Sequence, residues 1–310
     1  MFETTFFNIL ILVAFAIPGF IGRKIGKIHD VSSLVFVLSY IAQPFLIIAS
    51  MQSATITPEN TTKIGIMALV ALLIHAVSLV VCLLAFGWDK TRIGKTYALV
   101  GTFGNCGFMG IPLIQGLMAA GHLDESSLVC TTAFIVIFNL LTWTVGCFIM
   151  TGEKKYVSVK NCLFNPPTLA ALFVAIPLYF AGITLPDWAL KGVSLLGNMS
   201  APVSLFILGV RLADMSVKTL LTDSKAYLST ALKLVVVPLI TMGLLLPVRH
   251  IIGDTVFKVM YISMAMPSAS SVLMLAELYN VEGAPQAAGR VQAISTLLAV
   301  ASVPVLMMLL

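Results

Sequence analysis

The chain has 310 residues, of which 59% are hydrophobic and only 10% are charged. Soluble globular proteins carry about 25% charged residues, and a water-soluble fold could not hide this much apolar surface. The composition therefore excludes an ordinary soluble protein and indicates a protein whose solvent is the lipid bilayer.

Ten apolar segments have lengths close to the roughly 20 residues that a helix needs to span a bilayer. In chain order they are 6–22, 32–51, 64–87, 96–119, 127–150, 165–182, 190–211, 226–248, 256–279 and 288–309. The first is expected to be retained rather than cleaved, because Glu3 precedes it and basic residues follow it. The predicted fold class is an all-α membrane protein with ten transmembrane helices.

The basic residues of the predicted loops alternate in density. Thirteen of the 18 lysines and arginines fall on one side: Arg23, Lys24, Lys27, Lys90, Arg92, Lys95, Lys154, Lys155, Lys160, Arg211, Lys218, Lys225 and Arg290. The opposite side holds Lys63, Lys191, Arg249 and Lys258. Positive loops stay in the cytoplasm, so both termini are predicted on the outer side. The net charge of +5 reflects this bias, and no nucleic-acid partner is expected.

Proline-containing motifs recur at near-equal offsets. Residues 16–18 recur at 175–177, and the proline at position 44 has a counterpart at 202. Pro112 in helix 4 is echoed by Pro267 in helix 9. Because each half holds an odd number of helices, five, the second half must enter from the opposite side. The sequence thus predicts an inverted repeat of residues 1–150 and 151–310.

Helix 4 places glycines at every third position, Gly101, Gly104, Gly107 and Gly110, and Pro112 follows them. Proline removes a backbone donor and clashes with the preceding turn, and glycine lets the backbone unwind. Alone, this pattern also fits a close-packing face with a kink.

Helix 9 carries Pro267 among Ser268, Ser270 and Ser271, which again suggests an interruption. Breaks at corresponding positions of two inverted halves indicate a transport site at the middle of the membrane. Two such helices would direct half-helix N-termini at one point, where partial positive charge and unpaired N–H groups suit an anion, especially a carboxylate.

Charged residues inside the predicted helices are few. All 13 acidic residues lie in loops or at helix ends, with Glu277 the nearest exception, which argues against a cation/proton antiporter. Lys233 in helix 8 is the one clear internal cation; it either extends to the membrane surface or supports the broken helices electrostatically. Gln43, Asn139 and Trp143 are interpreted as interhelical contacts or interface anchors. No zinc, Walker or serine-hydrolase motif occurs, so no enzyme, cofactor or metal site is expected.

Four segments together resemble the auxin efflux carrier family, which includes plant PIN proteins and bacterial relatives. They are residues 105–113 of helix 4, 267–281 of helix 9, 165–168 at the start of helix 6, and 233–238 of helix 8. The resemblance covers the whole chain. The short loop 151–160 fits a bacterial member, since plant members carry a long loop there.

The resemblance implies the fold of bile-acid symporters and sodium–proton antiporters, a five-plus-five inverted repeat in which broken helices 4 and 9 cross. It implies a scaffold of helices 1, 2, 6 and 7, usually dimeric, and a transport part of helices 3–5 and 8–10. Movement of the transport part like an elevator would give alternating access across the plasma membrane, the inner membrane of a bacterium.

By matching the motifs, the resemblance places Asn105, Asn165 and Ser268 at the substrate site and Pro112 and Pro267 at the crossing. Ser270 is a further candidate ligand, and Lys233 a candidate for electrostatic support. The implied substrates are organic anions: auxin in plants, malate- or malonate-like dicarboxylates in bacteria. Ser268 stands where plant members have glutamine, and a second proline that follows there is missing, which weakens auxin as the substrate.

Two other readings stay open at this point. A sodium-coupled symporter of the bile-acid type shares the broken-helix fold, and Asn105, Ser268, Ser270 and Ser271 could supply oxygen ligands for sodium. A membrane sensor or assembly subunit that transports nothing is the other alternative. The paired breaks argue against it, because a scaffold has no use for interrupted helices.

Overall fold

The computed structural model describes residues 1–52, 57–153, 166–279 and 281–310. Its main helices are α1 Phe2–Lys24, α2 Ser32–Gln52, α3 Pro58–Ala85, α4a Arg92–Thr102, α4b Cys106–Ala119, α5 Ser126–Thr151, α6 166–180, α7 Asp187–Asp214, α8 Ser224–Leu245, α9a Asp254–Ala265, α9b Ser270–Leu278 and α10 Ala284–Leu309. Short helices at Val217–Thr222 and Arg249–Ile252 connect α7 to α8 and α8 to α9a.

Seven helices among the described residues are long and apolar enough to cross a membrane: α1, α2, α3, α5, α7, α8 and α10. The chain is therefore a multi-pass membrane protein. The predicted helices 4 and 9 are each divided in two, and α6 is short. The predicted start of helix 3 at residue 64 is too late, because Pro58 opens α3 and the Thr57 hydroxyl accepts a hydrogen bond from the Asn60 N–H at 3.0 Å.

Wide π-helical turns precede four of the prolines inside these helices. They span Leu38–Ala42, Cys106–Gly110, Ala170–Ala175 and Leu232–Val236, and in each case proline follows two residues after the turn ends. Proline has no N–H and its ring clashes with the carbonyl four residues earlier. A π turn shifts that pairing by one residue, so the helix continues past the proline with a local bulge.

Helices α1, α2, α6 and α7 form one set of neighbours, in which α7 packs on α1 and α2 and α6 packs on α2. Helices α3, α4a, α5, α8, α9a, α9b and α10 form a second set, and α1 also packs on α4b and α10. Glycines permit the close approach in the first set. A Cβ on Gly209 of α7 would collide with the Ala16 carbonyl of α1, and one on Gly197 would lie 2.7 Å from the Leu46 Cα of α2. Such small-residue contacts are the usual means of helix packing in lipid, where no hydrophobic effect drives association.

A carboxylate connects three helices of the second set at one end of the bundle, which holds Asp89, Asp223 and Arg290. It is called the basic end here because most of the loop lysines and arginines are predicted on that side. Asp223 Oδ2 accepts hydrogen bonds from Tyr97 of α4a at 2.6 Å and from Arg290 of α10 at 2.5 Å, and its Oδ1 accepts from the Ala226 N–H of α8 at 3.0 Å. Burial raises the pKa of Asp223, but the bonds from Tyr97, Ala226 and Arg290 together hold it below its usual value.

We expect Asp223→Asn to lower thermal stability at neutral pH and to weaken its acid dependence. A depressed folded-state pKa contributes stability that is complete above the unfolded value of about 3.9 and is lost as the pH falls through the folded-state pKa. Unfolding midpoints in detergent, measured from pH 7 downward, check this, with Glu282→Gln at the exposed start of α10 as the control. An identical acid profile for Asp223→Asn and the unmodified protein would contradict it.

Candidate functional site

The breaks in helices 4 and 9 meet, and they pair as two short extended segments. Gly104 and Ser268 form an antiparallel bridge. The Asn105 N–H donates to the Pro267 carbonyl at 2.7 Å, and the Ala269 N–H donates to the Phe103 carbonyl at 3.0 Å. Backbone polar groups left unpaired in lipid cost several kcal/mol each, so each break supplies the partners that the other needs.

Lys233 lies at the C-terminal ends of both half-helices that enter the crossing. Its side chain is fully buried, and its Nζ donates to the Met264 carbonyl of α9a at 3.0 Å and to the Thr102 carbonyl of α4a at 3.5 Å. Both ends carry partial negative charge from their aligned peptide dipoles, and the ammonium neutralises them. Lys233 therefore does not extend to the membrane surface, and its contacts fit the interpretation that it supports the broken helices.

The other two helix ends at the crossing have the opposite polarity. The N-termini of α4b, at Cys106, and of α9b, at Ser270, begin directly after the breaks, and no side chain caps either one. The first N–H groups of a helix have no intrahelical acceptor and carry partial positive charge. The Cys106 N–H donates to the Gly104 carbonyl at 2.8 Å, and the polarity of both ends favours negative charge nearby.

Pro112 and Pro267 do not occupy equivalent places, and the prediction that both lie at the crossing is wrong for Pro112. Pro267 lies in the break between α9a and α9b, whereas Pro112 lies within α4b. The π turn at Cys106–Gly110 accommodates Pro112, so this proline does not break the helix. The interruption of helix 4 occurs earlier, at Gly104.

Gly104 is the only one of the three predicted crossover glycines within the break itself. A Cβ there would lie 2.9 Å from Lys233 Nζ and 3.0 Å from the Ser263 carbonyl, so any larger residue would force Lys233 or the backbone to shift. Gly107 and Gly110 lie in the first turns of α4b, and their nearest neighbours would be 3.8 Å and 3.5 Å from an added Cβ.

A cavity of about 370 Å³ lies beside the crossing, between α2, α5, α6 and α9b. Its walls are mostly apolar, with aromatic rings from Phe36, Tyr40 and Trp143. It extends from Gln43 and Ser271, near the crossing, to Ser32, where α2 begins, and Leu278, where α9b ends. Its size and its few polar groups are typical of a site for a small molecule.

Two hydrogen-bonding groups that line this cavity have no partner among the described residues. The Asn139 side chain is 1% exposed and its Nδ2 donates no hydrogen bond, and the Ser271 hydroxyl is also unpaired. Buried polar groups are nearly always paired, and one that is not needs an explanation such as a missing ligand. The sequence interpretation of Asn139 as an interhelical contact missed this, because an unpaired amide is visible only in three dimensions.

The predicted substrate ligands have different surroundings. Asn105 is 4% exposed and its backbone belongs to the crossing. The Ser268 hydroxyl is fully buried and unpaired among the described residues, and its N–H donates to Ser295 at 3.1 Å. Neither residue lines the cavity.

The other two predicted ligands also differ. Ser270 already accepts a hydrogen bond from Gln292 at 2.6 Å. Asn165 lies outside the described residues.

We expect Gly104→Ala to destabilise the protein by roughly 1–3 kcal/mol, the usual cost of forcing an extra methyl group into a packed interior. The added Cβ would displace Lys233 from the half-helix ends. Thermal unfolding in detergent measures the effect. Gly110→Ala is the matched control, since its Cβ meets only ordinary contacts; equal unfolding midpoints for the two variants would disprove the packing described for Lys233.

The sequence was compared with protein families and with curated proteins. A family model described as a membrane transport protein matches residues 8–163 and again residues 156–307, in two repeats that together cover nearly the whole chain. No curated protein matches it significantly. This family is one of transporters and not of enzymes. The chain belongs to the membrane transport protein family of the auxin efflux carriers, and it is a multi-pass membrane transporter.

Proposed function

We propose that the protein is a secondary transporter of small organic anions, most simply dicarboxylates such as malate or malonate. The observation that carries the proposal is the cavity beside the crossing, where the unpaired Asn139 amide and Ser271 hydroxyl face the space next to the N-terminus of α9b. Donors of this kind together with a helix N-terminus form a carboxylate site.

The charges around the crossing favour the same class of substrate. Among the described residues that line the cavity, the one carboxylate is that of Glu277, which is paired with Arg211 at 2.8 Å. The Lys233 ammonium lies on the other side of the breaks. An anion in the cavity therefore meets no unpaired negative charge from the described lining residues, and the Asn139 Nδ2 is free to donate to it.

Sodium-coupled symport of the bile-acid type is the alternative, and Lys233 argues against it. In transporters with broken helices, the C-terminal ends and unwound carbonyls of the half-helices coordinate the coupling cation. Here the Lys233 ammonium occupies that position, bonded to the Thr102 and Met264 carbonyls. With the ammonium in place, these two carbonyls need no sodium ion from solution to neutralise their partial negative charge.

The proposed mechanism is alternating access of the elevator type. The two sets of closely packed helices support a scaffold of α1, α2, α6 and α7 and a transport part formed by the others, built as two inverted halves of five helices. The cavity lies between these parts, which is where a substrate carried by the transport part would be exposed. The exposed apolar surface of the scaffold, which includes Phe7, Ile11, Leu195 and Trp188, suits lipid or a second copy in a homodimer.

The proposed orientation follows from the loop charges. Both termini lie outside, and the basic end faces the cytoplasm, so the cavity opens to the cytoplasm in this conformation. The short loop 151–160 supports a bacterial-type member in the plasma membrane. Ser268 in place of glutamine favours dicarboxylates over auxin-like acids.

We expect Asn139→Leu to reduce malonate uptake into liposomes about tenfold or more, because a hydrogen bond to a charged group contributes roughly 1.5–3 kcal/mol. Asn105→Ala is expected to abolish uptake while the protein still inserts and folds. Asn198→Leu, at an exposed position of α7, is the control and should transport normally. Uptake by Asn139→Leu at the rate of the unmodified protein would remove this cavity from the substrate path.

A further inference from the structure

Two side-chain contacts join α7 to α9b, and they are one heptad apart on both helices. The Ser204 and Ser270 hydroxyls lie 3.3 Å apart, and Arg211 Nη2 donates to Glu277 Oε2 at 2.8 Å. Seven residues advance each helix by roughly 10 Å along the same direction, so the two helices run parallel and the contacts form two rungs. Any slide of one helix along the other would break both rungs together.

The ion pair is the stronger rung. The Arg211 side chain is 15% exposed and that of Glu277 39%, so the pair is partly shielded from water. Partly buried pairs are less screened by salt than surface pairs, and removing one partner leaves the other charge poorly solvated. Breaking this contact therefore costs more than breaking an exposed ion pair.

Glu277 also separates two spaces. It lines the cavity beside the crossing, and it lines a second, polar cavity of about 400 Å³ at the same end of the bundle. Arg211 lines only the second. The ion pair thus crosses the boundary between α7 and α9b where the path from the substrate cavity reaches the basic end.

The other carboxylate at this end of α7 among the described residues is already paired. Asp214, one turn further along α7, lines the polar cavity too, but it accepts a hydrogen bond from Arg23 Nε at 2.6 Å. If α9b moved away with Glu277, Arg211 would lose its partner. This difference between states is what allows a contact to set a conformational equilibrium.

We propose that the Arg211–Glu277 pair is a latch that holds the transport part against the scaffold in the conformation open to the basic end, and that transport requires it to break. The inference rests on the proposed function only in assuming that α9b moves relative to α7. Removing the ion pair shifts the population away from the conformation open to the basic end, whichever anion is carried.

Disulfide trapping tests the latch without substrate. Ser204→Cys and Ser270→Cys are introduced after the five native cysteines are replaced by alanine or serine, since hydroxyls 3.3 Å apart place the new thiols within reach of a bond in this conformation only. We expect Glu277→Gln to slow crosslinking in liposomes about fivefold, and Arg211→Gln to do the same from the other partner. The exchange Arg211→Glu with Glu277→Arg should restore most of the rate.

Asp214→Asn is the matched control, because it removes a neighbouring charge of α7 that bonds only within the scaffold; its crosslinking rate should not change. Crosslinking of both single variants at the unmodified rate, or no recovery in a folded exchange variant, would overturn the latch. Because no substrate takes part, such a result leaves malonate uptake and its dependence on Asn139 unaffected, and the two proposals can fail separately.

Discussion

The structure depends on one constraint: four half-helix ends meet inside an apolar bundle, and each must find partners there. The two extended segments satisfy part of this need through the bridge between Gly104 and Ser268. Lys233 satisfies the two negative ends at Thr102 and Met264. The positive ends at Cys106 and Ser270 have no side-chain cap. This separation of charge, in a chain without a free intramembrane carboxylate among its described residues, is the basis for proposing an anionic substrate.

Other features follow from the need to hold this crossing in place. Gly104 admits the Lys233 ammonium, and the Asp223 carboxylate fixes α4a, α8 and α10 at the basic end, so that the lysine and the break it supports keep their relative position. Across the boundary with α7, by contrast, α9b is held by two polar contacts that can be broken and remade. Polar contacts of this kind suit the elevator motion proposed above, in which α9b moves relative to α7.

Much of this could be predicted from the sequence because its signals are local. The lengths of the apolar segments predicted most of the membrane helices. The glycine series that includes Gly104 and the proline at 267 predicted the two breaks. The assignment of Pro112 to the crossing failed because a proline predicts only that a helix is disturbed, and a π turn absorbs the disturbance as well as a break does. Lys233 and Asn139 were noticed, but their surroundings depend on residues distant in the chain. An unpaired amide facing a cavity, or an ammonium between two helix ends, leaves no pattern in the sequence.

Lys233 is proposed to take the place of a coupling cation and to leave the crossing free for an anion. The most direct test is malonate flux into liposomes at an imposed membrane voltage, with sodium present or fully replaced by choline. The account predicts a flux that follows the voltage and does not change when sodium is removed. A strict requirement for sodium would contradict it and favour a symporter of the bile-acid type.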